Sequence, residues 1–499
     1  MKTTITTFLL LLFWSLNSQN ISINSSFGNN GVFVVPSSQN SFVYALDWDA
    51  LGNIYGARAT LQSGNSYNYE LSITKCSTEG VLDNGFGNNG VSVLSFAESQ
   101  TPFDIKVTEH SKIFICGMAH NSISSQSFGF LVKLNPDGSL DTSFANEGVF
   151  ILNVNSIGFN SIVLLNDDSI VLGGTANSLG ILVKLNSNGS LATDFGNNGV
   201  MNVSSGSFHF GLEKTIVTNN NELLSVGFEF SNASNTKIAY CKTDTNGNFI
   251  EAFGNNGKVV YDLQIDPYPF GSELITQIKK GTNNSYYLGG NNADSYFILK
   301  INEDGSFDEN FANSGISSGN FPFTDFDLQE NGKIVISGTT LVSDSNLGYS
   351  IIRLNDDGSF DDTFNNGSNF ILDLSSQSDY MYSMKFTSAN EFLIGGSMGQ
   401  NAIRKAIITK LTIDDALSVN QKDKQLEFQI FPNPFKDNIN ISNIGEVKNV
   451  KMVDILGKQI EFSRINNTIH VDENLSAGIY FMKVLFYDGM EIIKKIVKE

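Results

Sequence analysis

Asn135-Pro136-Asp137-Gly138-Ser139-Leu140-Asp141-Thr142-Ser143-Phe144 is the stretch from which the fold is read. Asp137-Gly138 supplies the positive φ of a tight turn, which glycine adopts without steric cost. Six residues after the glycine comes a phenylalanine, then a second turn, Asn146-Glu147-Gly148, and an aliphatic run from Val149. The pattern recurs along the chain. Phe-Gly-Asn-Asn-Gly begins at Phe27, Phe86, Phe195 and Phe253, with degraded copies at Phe144, Phe311 and Phe364. Gly80, Gly138, Gly189, Gly247, Gly305 and Gly358 each stand six residues before the next phenylalanine. Successive phenylalanines are 51 to 59 residues apart, yet the six-residue spacing never changes. The connection is therefore a rigid corner, and other loops absorb the length differences.

A third marker closes an apolar run with glycine, as at Gly56, Gly117, Gly173, Gly227, Gly289, Gly338 and Gly395. Runs of four to six Val, Ile and Leu, cut by Asn, Asp and Gly, predict short strands and turns. In the third unit the strands fall at 149–154, 160–165, 169–173 and 180–185. Seven units of four strands each predict an all-β fold, a seven-bladed β-propeller, and an open solenoid is disfavoured because its coils are shorter. A strand at 32–35, read circularly, supplies the outer strand that the last unit lacks. Each repeated phenylalanine is expected to bury its ring against the neighbouring unit, worth about 1.5–3 kcal/mol per site.

The array resembles the delta-60 repeat family, whose units carry the signature D-x-S-F-G-x-x-G-V. Asp141-Thr142-Ser143-Phe144 and Asp83-Asn84-Gly85-Phe86-Gly87 match it best, and the likeness spans roughly residues 21–415. The resemblance implies a propeller-like scaffold in secreted or surface proteins, with no catalytic residues assigned to the repeat.

A polar linker is expected at 416–427, and a different pattern begins at 428. Alternating strands near 437–442, 450–454, 481–486 and 491–497, with an Asp488-Gly489 hairpin, predict a small C-terminal β-sandwich over 428–499. This end resembles the C-terminal sorting domain of the type IX secretion system. Four motifs carry the likeness in order: Pro432-Asn433-Pro434; Asp454-Ile455-Leu456-Gly457-Lys458; Leu475 through Gly478 to Tyr480; and the terminal Lys494-Lys495-Ile496-Val497-Lys498. The family implies passage through the outer membrane, with the mature protein released or held on the outer surface.

Residues 1–19 read as a signal peptide: Lys2, then the apolar run from Phe8 to Leu16, then a polar exit. That run is too short to span a bilayer, which takes about 20 residues. Nothing later is apolar enough to cross a membrane. The net charge of −20 disfavours nucleic acid as a partner. Cys76, Cys116 and Cys241 lack paired spacing, so buried thiols are expected and zinc or redox motifs are not.

Candidate chemistry is sparse. His110, His120, His209 and His470 show no metal spacing. The acidic corners at 302–308 and 355–361 superficially resemble calcium loops, but they lack the bidentate twelfth-position glutamate. Turn formation explains them. Asp47, Asp49, Asp104 and Asp325 fall near predicted strand ends, and nothing singles out a pair. No catalytic residue, cofactor or metal ligand is therefore nominated. The expectation is a monomeric, secreted or surface-bound, non-enzymatic interaction scaffold. It meets the type IX machinery and then a glycan or envelope protein. The alternatives are a polysaccharide-active enzyme with its site at the propeller channel, and a structural envelope component.

Overall fold

A computed structural model describes residues 19–414 and 430–499, apart from 63–67, 122–125, 155–156, 178, 205–208, 233–234, 262–274, 293–294, 344–345, 401–402, 442–446, 455–457, 466, 473 and 487–490. The leader before Gln19, the linker, Gly457 and the Asp488-Gly489 hairpin therefore lie outside the described residues. The chain divides into two compact units, 1–416 and 417–499.

Among the described residues, the first unit holds seven antiparallel sheets. Their first strands are Ser41–Trp48, Ser99–Val107, Ile157–Leu164, His209–Val217, Ile275–Lys280, Asp325–Leu328 and Tyr380–Phe386. Each first strand packs against the next one, and Tyr380–Phe386 returns to Ser41–Trp48, so the seven form a ring. The unit is a β-propeller.

Sheet and sequence unit are offset by one strand. Val149–Leu152, assigned by sequence to the third unit, pairs with Gln126–Leu134 of the preceding sheet. The same offset closes the ring. Val32–Val34 pairs with Ile403–Asp414 of the last sheet, with Val32 opposite Thr409. Asn20–Ile23 lies along the rest of that long strand, with Ile21 opposite Ile413. The second of these pairings was not anticipated.

The corners explain the repeat. All seven phenylalanines, Phe27 to Phe364, are buried to 1% exposure or less. The six corner glycines have φ between 73° and 87°. A Cβ there would also come within 2.7–3.2 Å of the preceding unit's phenylalanine ring, as Gly358 does with Phe311 and Gly247 with Phe195. Glycine is required twice over, for its φ and for the space. A backbone bond crosses each seam beside the ring: Gly87 N–H donates to Asp137 O at 2.7 Å, and Ala145 N–H to Asn188 O at 2.7 Å. At the seventh corner, Asn365 N–H donates to Gln19 O at 2.8 Å, and Gln19 N–H to Thr363 O at 2.9 Å. Gln19, read from sequence as the last residue of the leader, is thus seated in the fold.

A cation belongs to the same corner. Lys75, Lys133, Lys184, Lys242, Lys300 and Arg353 each stand five residues before the corner glycine. Lys133 pairs with Asp141 at 3.4 Å and lies 5.3 Å from the centre of the Phe144 ring. Lys300 repeats this with Asp308 at 2.9 Å and Phe311 at 5.8 Å. A second aromatic meets each of several phenylalanines edge-on, as Phe114 meets Phe144 at 6.0 Å. Edge-to-face packing and a cation on the ring face each add stabilisation beyond buried area.

The second unit is a β-sandwich. One sheet contains Ile430–Phe431, Asn438–Ile441, Phe462–Ile465 and Thr468–Val471; the other contains Gln459–Ile460, Val447–Asp454, Gly478–Phe486 and Glu491–Lys498. Phe435, Ile439, Met452, Ile469, Met482 and Ile496 fill the space between them.

Candidate functional site: the propeller channel and the terminal sandwich

All seven first strands line a central cavity of about 870 Å³. Six carry one extra residue, a β-bulge, at the same place, for example between Val43 and Ala45 and between Met381 and Ser383. A bulge re-aims side chains locally. The extra residues are Tyr44, Phe103, Asn160, Glu213 and Tyr382, which line the cavity, and residue 276 in the fifth sheet.

Side chains next to the bulge or two residues beyond it, and two acids of the sixth first strand, which has no bulge, tie several sheets to the next. Asp47 accepts Val107 N–H at 2.7 Å, and Asp104 accepts Ile162 N–H at 2.9 Å. Ser161 Oγ accepts Thr215 N–H at 3.1 Å. Asp325 accepts Met384 N–H at 2.8 Å, and Asp327 accepts Phe386 N–H at 2.9 Å. The free edge of a first strand cannot pair by a regular ladder across a seam, so side chains satisfy those amides.

The lysines complete these ties. Lys106 pairs with Asp104 at 3.3 Å, Lys279 with Asp327 at 3.1 Å, and Lys385 with Asp47. Burial pushes the Asp104 carboxyl up, but Lys106, Lys214 and the Ile162 amide outweigh it and hold it below its usual range. At Asp325 burial wins and the carboxyl is raised. Burial lowers the Lys385 ammonium; Asp47 opposes this, while the like charges of Lys106 and Lys279 reinforce it.

A raised carboxyl in a cavity is the usual mark of a general acid. Asp325 does not fit that role. Its Oδ1 accepts from Phe326 N–H at 2.8 Å and Gln277 Nε2 at 3.0 Å, and its Oδ2 accepts from Met384 N–H. Both oxygens are engaged by protein. Asp49 serves a turn, accepting from Leu51 N–H, Asn53 N–H and Tyr55 Oη at 2.9–3.0 Å. Thus Asp47, Asp104 and Asp325 join sheets, and Asp49 shapes a loop.

The corner acids form turns. Asp304 accepts Ser306 N–H at 2.9 Å and Ser306 Oγ at 2.6 Å, and Asp357 does the same with Ser359. Among the described residues, no three His, Cys, Asp or Glu side chains are grouped to hold a metal ion. His110 is exposed, His120 Nδ1 lies 3.2 Å from Ser127 Oγ, and His470 Nδ1 lies 2.6 Å from Asn438 Oδ1. Cys76, Cys116 and Cys241 are buried and unpaired, and burial pushes the Cys76 and Cys241 thiols up to about 12. No helix among the described residues is long and apolar enough to cross a membrane.

The sandwich draws its sequence motifs together. Asn433 Nδ2 donates to Lys495 O at 3.0 Å, and its Oδ1 accepts Val497 N–H at 2.8 Å. Pro432-Asn433-Pro434 is thereby tied to the last strand. Asp454 Oδ1 accepts Lys458 N–H at 2.9 Å, and Asp454 lies opposite Tyr480 in the sheet. Tyr480 Oη donates to Ser476 O at 2.7 Å, Leu475 packs on the core, and Gly478 opens the strand opposite Lys498. Lys494 and Lys495 are exposed on that final strand.

Residues 429–499 match the family model described as Secretion system C-terminal sorting domain. Residues 111–144 and 329–364 match the model described as Domain of unknown function (DUF5122) beta-propeller. Both matched propeller segments end on a corner phenylalanine, Phe144 or Phe364. No curated protein sequence matches the chain. Among solved structures, a Dyadobacter fermentans protein of unknown function aligns over 79% of this chain and 99% of its own, at 9% identity and a TM-score of 0.42. Prolyl oligopeptidase B from Galerina marginata aligns over 92% and 55%, at 11% identity and TM-score 0.40. An α-L-arabinofuranosidase from Fusarium graminearum aligns over 76% and 97%, at 11% identity and TM-score 0.34. The sorting-domain match marks the chain for export by the type IX system, to the cell surface or beyond, and so for contact with that machinery.

Proposed function

We propose that the propeller is a non-enzymatic binding scaffold, carried out of the cell by its terminal sandwich and released there or held on the outer surface. One observation supports the non-enzymatic part above others: Asp47, Asp104 and Asp325 are spent on joining neighbouring sheets. A hydrolase channel would need two carboxylates free to face a substrate bond. Asp325, whose carboxyl is raised, has both oxygens engaged. The repeat thus serves as a rigid frame, and residues that vary between sheets at the bulge line the cavity it encloses. An N-terminal leader would take the chain across the inner membrane, and the sandwich would direct the second step.

Deletion of residues 429–499 tests the delivery. The truncated chain should accumulate in the periplasm, while the intact chain reaches the outer surface or medium. Surface protease accessibility with fractionation reads the difference. Equal surface exposure of both chains would refute the assignment.

A further inference from the structure

We infer that the channel binds a neutral saccharide, its ring stacked on Tyr44 and Tyr382 and its hydroxyls facing Asn160, Glu213 and Asn291. This deepens the scaffold reading and rests on it. The wall is asymmetric. Tyr44 and Tyr382, on adjacent first strands, have ring centres 4.8 Å apart at 36°, and Phe42 lies within 6.2 Å of both. Phe103 of the second sheet and Phe323 beside the sixth continue this side, whereas Asn160, Glu213, Gln277 and Asn291 belong to the third, fourth and fifth sheets. At the bulge position, the described side chains are two tyrosines, a phenylalanine, an asparagine and a glutamate. A purely structural demand would select one residue type around the ring, as it does at the corner phenylalanines.

Asn291 and Ser383 also border the cavity, although Asn291 Oδ1 and Ser383 Oγ themselves are shut away from it, so a guest meets the rest of these side chains. Charge selects its class. Lys106, Lys279 and Lys385 are each paired with an aspartate, and Lys214 donates to Asn160 O at 2.8 Å. Glu213 accepts from Asn160 Nδ2 at 3.2 Å, and Lys280 stands exposed at the cavity's edge; the rest of the lining is aromatic on one side and amide-rich on the other. A sugar ring fits that combination, with one face of C–H groups for the rings and a rim of hydroxyls for the amides. A cavity of about 870 Å³ falls within the usual range for small-ligand sites, about 300–1,000 Å³.

The test titrates the purified chain with cellohexaose, laminarihexaose, mannohexaose and chitohexaose, and with hexagalacturonate as the acidic counterpart. At least one neutral hexaose should bind, with its C–H protons saturated on irradiation of the protein's aromatic protons. Tyr44→Ala and Tyr382→Ala should weaken binding by about tenfold or more, and Tyr44→Phe by less than about threefold. Saturation transfer uses the unaltered chain, so it decides the matter even if an alanine variant fails to fold. The inference falls if no neutral hexaose binds, if hexagalacturonate binds more tightly than all four, or if folded alanine variants bind unchanged. A chain that reaches the cell exterior yet binds no hexaose overturns this inference and leaves the delivery reading intact. New reducing ends during the titration would support the site and overturn the non-enzymatic reading.

Discussion

A chain beginning at residue 36 should lose cooperative folding, whereas one beginning at residue 19 should keep it. The deletion removes two strands from the edge of Ile403–Asp414. It also removes Ile21, Phe27, Phe33 and Val35, all 6% exposed or less. Burying each such side chain is worth about 1.5–3 kcal/mol, so the sum rivals the whole net stability of a typical domain, about 5–15 kcal/mol. The loss should not stay local, because the seam between the last sheet and the first would then rest on the packing of Tyr380–Phe386 against Ser41–Trp48 and on the Lys385–Asp47 pair. The open edge of 403–414 would present unpaired amides to other chains. Thermal melts followed by far-ultraviolet circular dichroism should show a midpoint lower by about 10 °C or more, or an insoluble product. A midpoint unchanged by the deletion would mean that the remaining sheets hold the ring without it.

Arg353→Met should cost about 3 kcal/mol, the lower end of the range for breaking a buried ion pair. Arg353 is fully buried and donates from Nε to Asp361 at 2.7 Å, from Nη1 to Gln329 at 3.1 Å, and from Nη2 to Gln19. Asp361 keeps Lys333 at 2.6 Å, which limits the loss. The guanidinium also lies 4.8 Å from the centre of Phe364. Arg353 and Gln19 should be coupled, so Arg353→Met combined with Gln19→Ala should cost less than the two single losses added.

The same site sets a pH dependence. Burial pushes the Asp361 carboxyl up, but Lys333, Thr363 and Arg353 outweigh it and hold it to about 2. Its folded value lies below the unfolded value near 3.9, so this stabilisation is present above about pH 4. It is lost as pH falls through about 2, and amounts to about 2 kcal/mol. Urea unfolding at pH 5, 3.5 and 2.5 should show that decline, and Asp361→Asn should flatten it. A decline of equal size in Asp361→Asn would place the acid sensitivity elsewhere.

Much of the frame was legible in the sequence because its demands are local. A corner that needs positive φ and a slot for an aromatic ring selects glycine and phenylalanine at fixed spacing. The outer strand at 32–35 was legible for the same reason, since it follows a corner. The cation five residues before each corner glycine was equally regular, as Lys133 and Lys300 show, but its role appears only when the strand folds over the phenylalanine. Asn20–Ile23 was missed because four residues beside an apolar leader carry no strand signature of their own.

The channel was the least legible part. One extra residue in a strand reverses which side chains face inward, and nothing in the local sequence marks where it enters. Tyr44, Asn160 and Glu213 therefore could not be aligned as one ring of the wall. Asp104 and Asp325 stood out only as acids near strand ends. Their partners, Ile162 and Met384, are 58 and 59 residues away. In the sandwich, motif residues such as Asn433 were visible because they sit at turns. The ties to Lys495 and Val497 required the sheet.

Amide hydrogen exchange on the intact chain is the most direct test that residues 19–34 close the ring. Amides of Asn20–Ile23 and Val32–Val34 should exchange as slowly as those of Ile403–Asp414, with Gln19 protected through Thr363. Exchange of the 19–34 amides at the rate of a frayed terminus, beside slow exchange at 403–414, would contradict it.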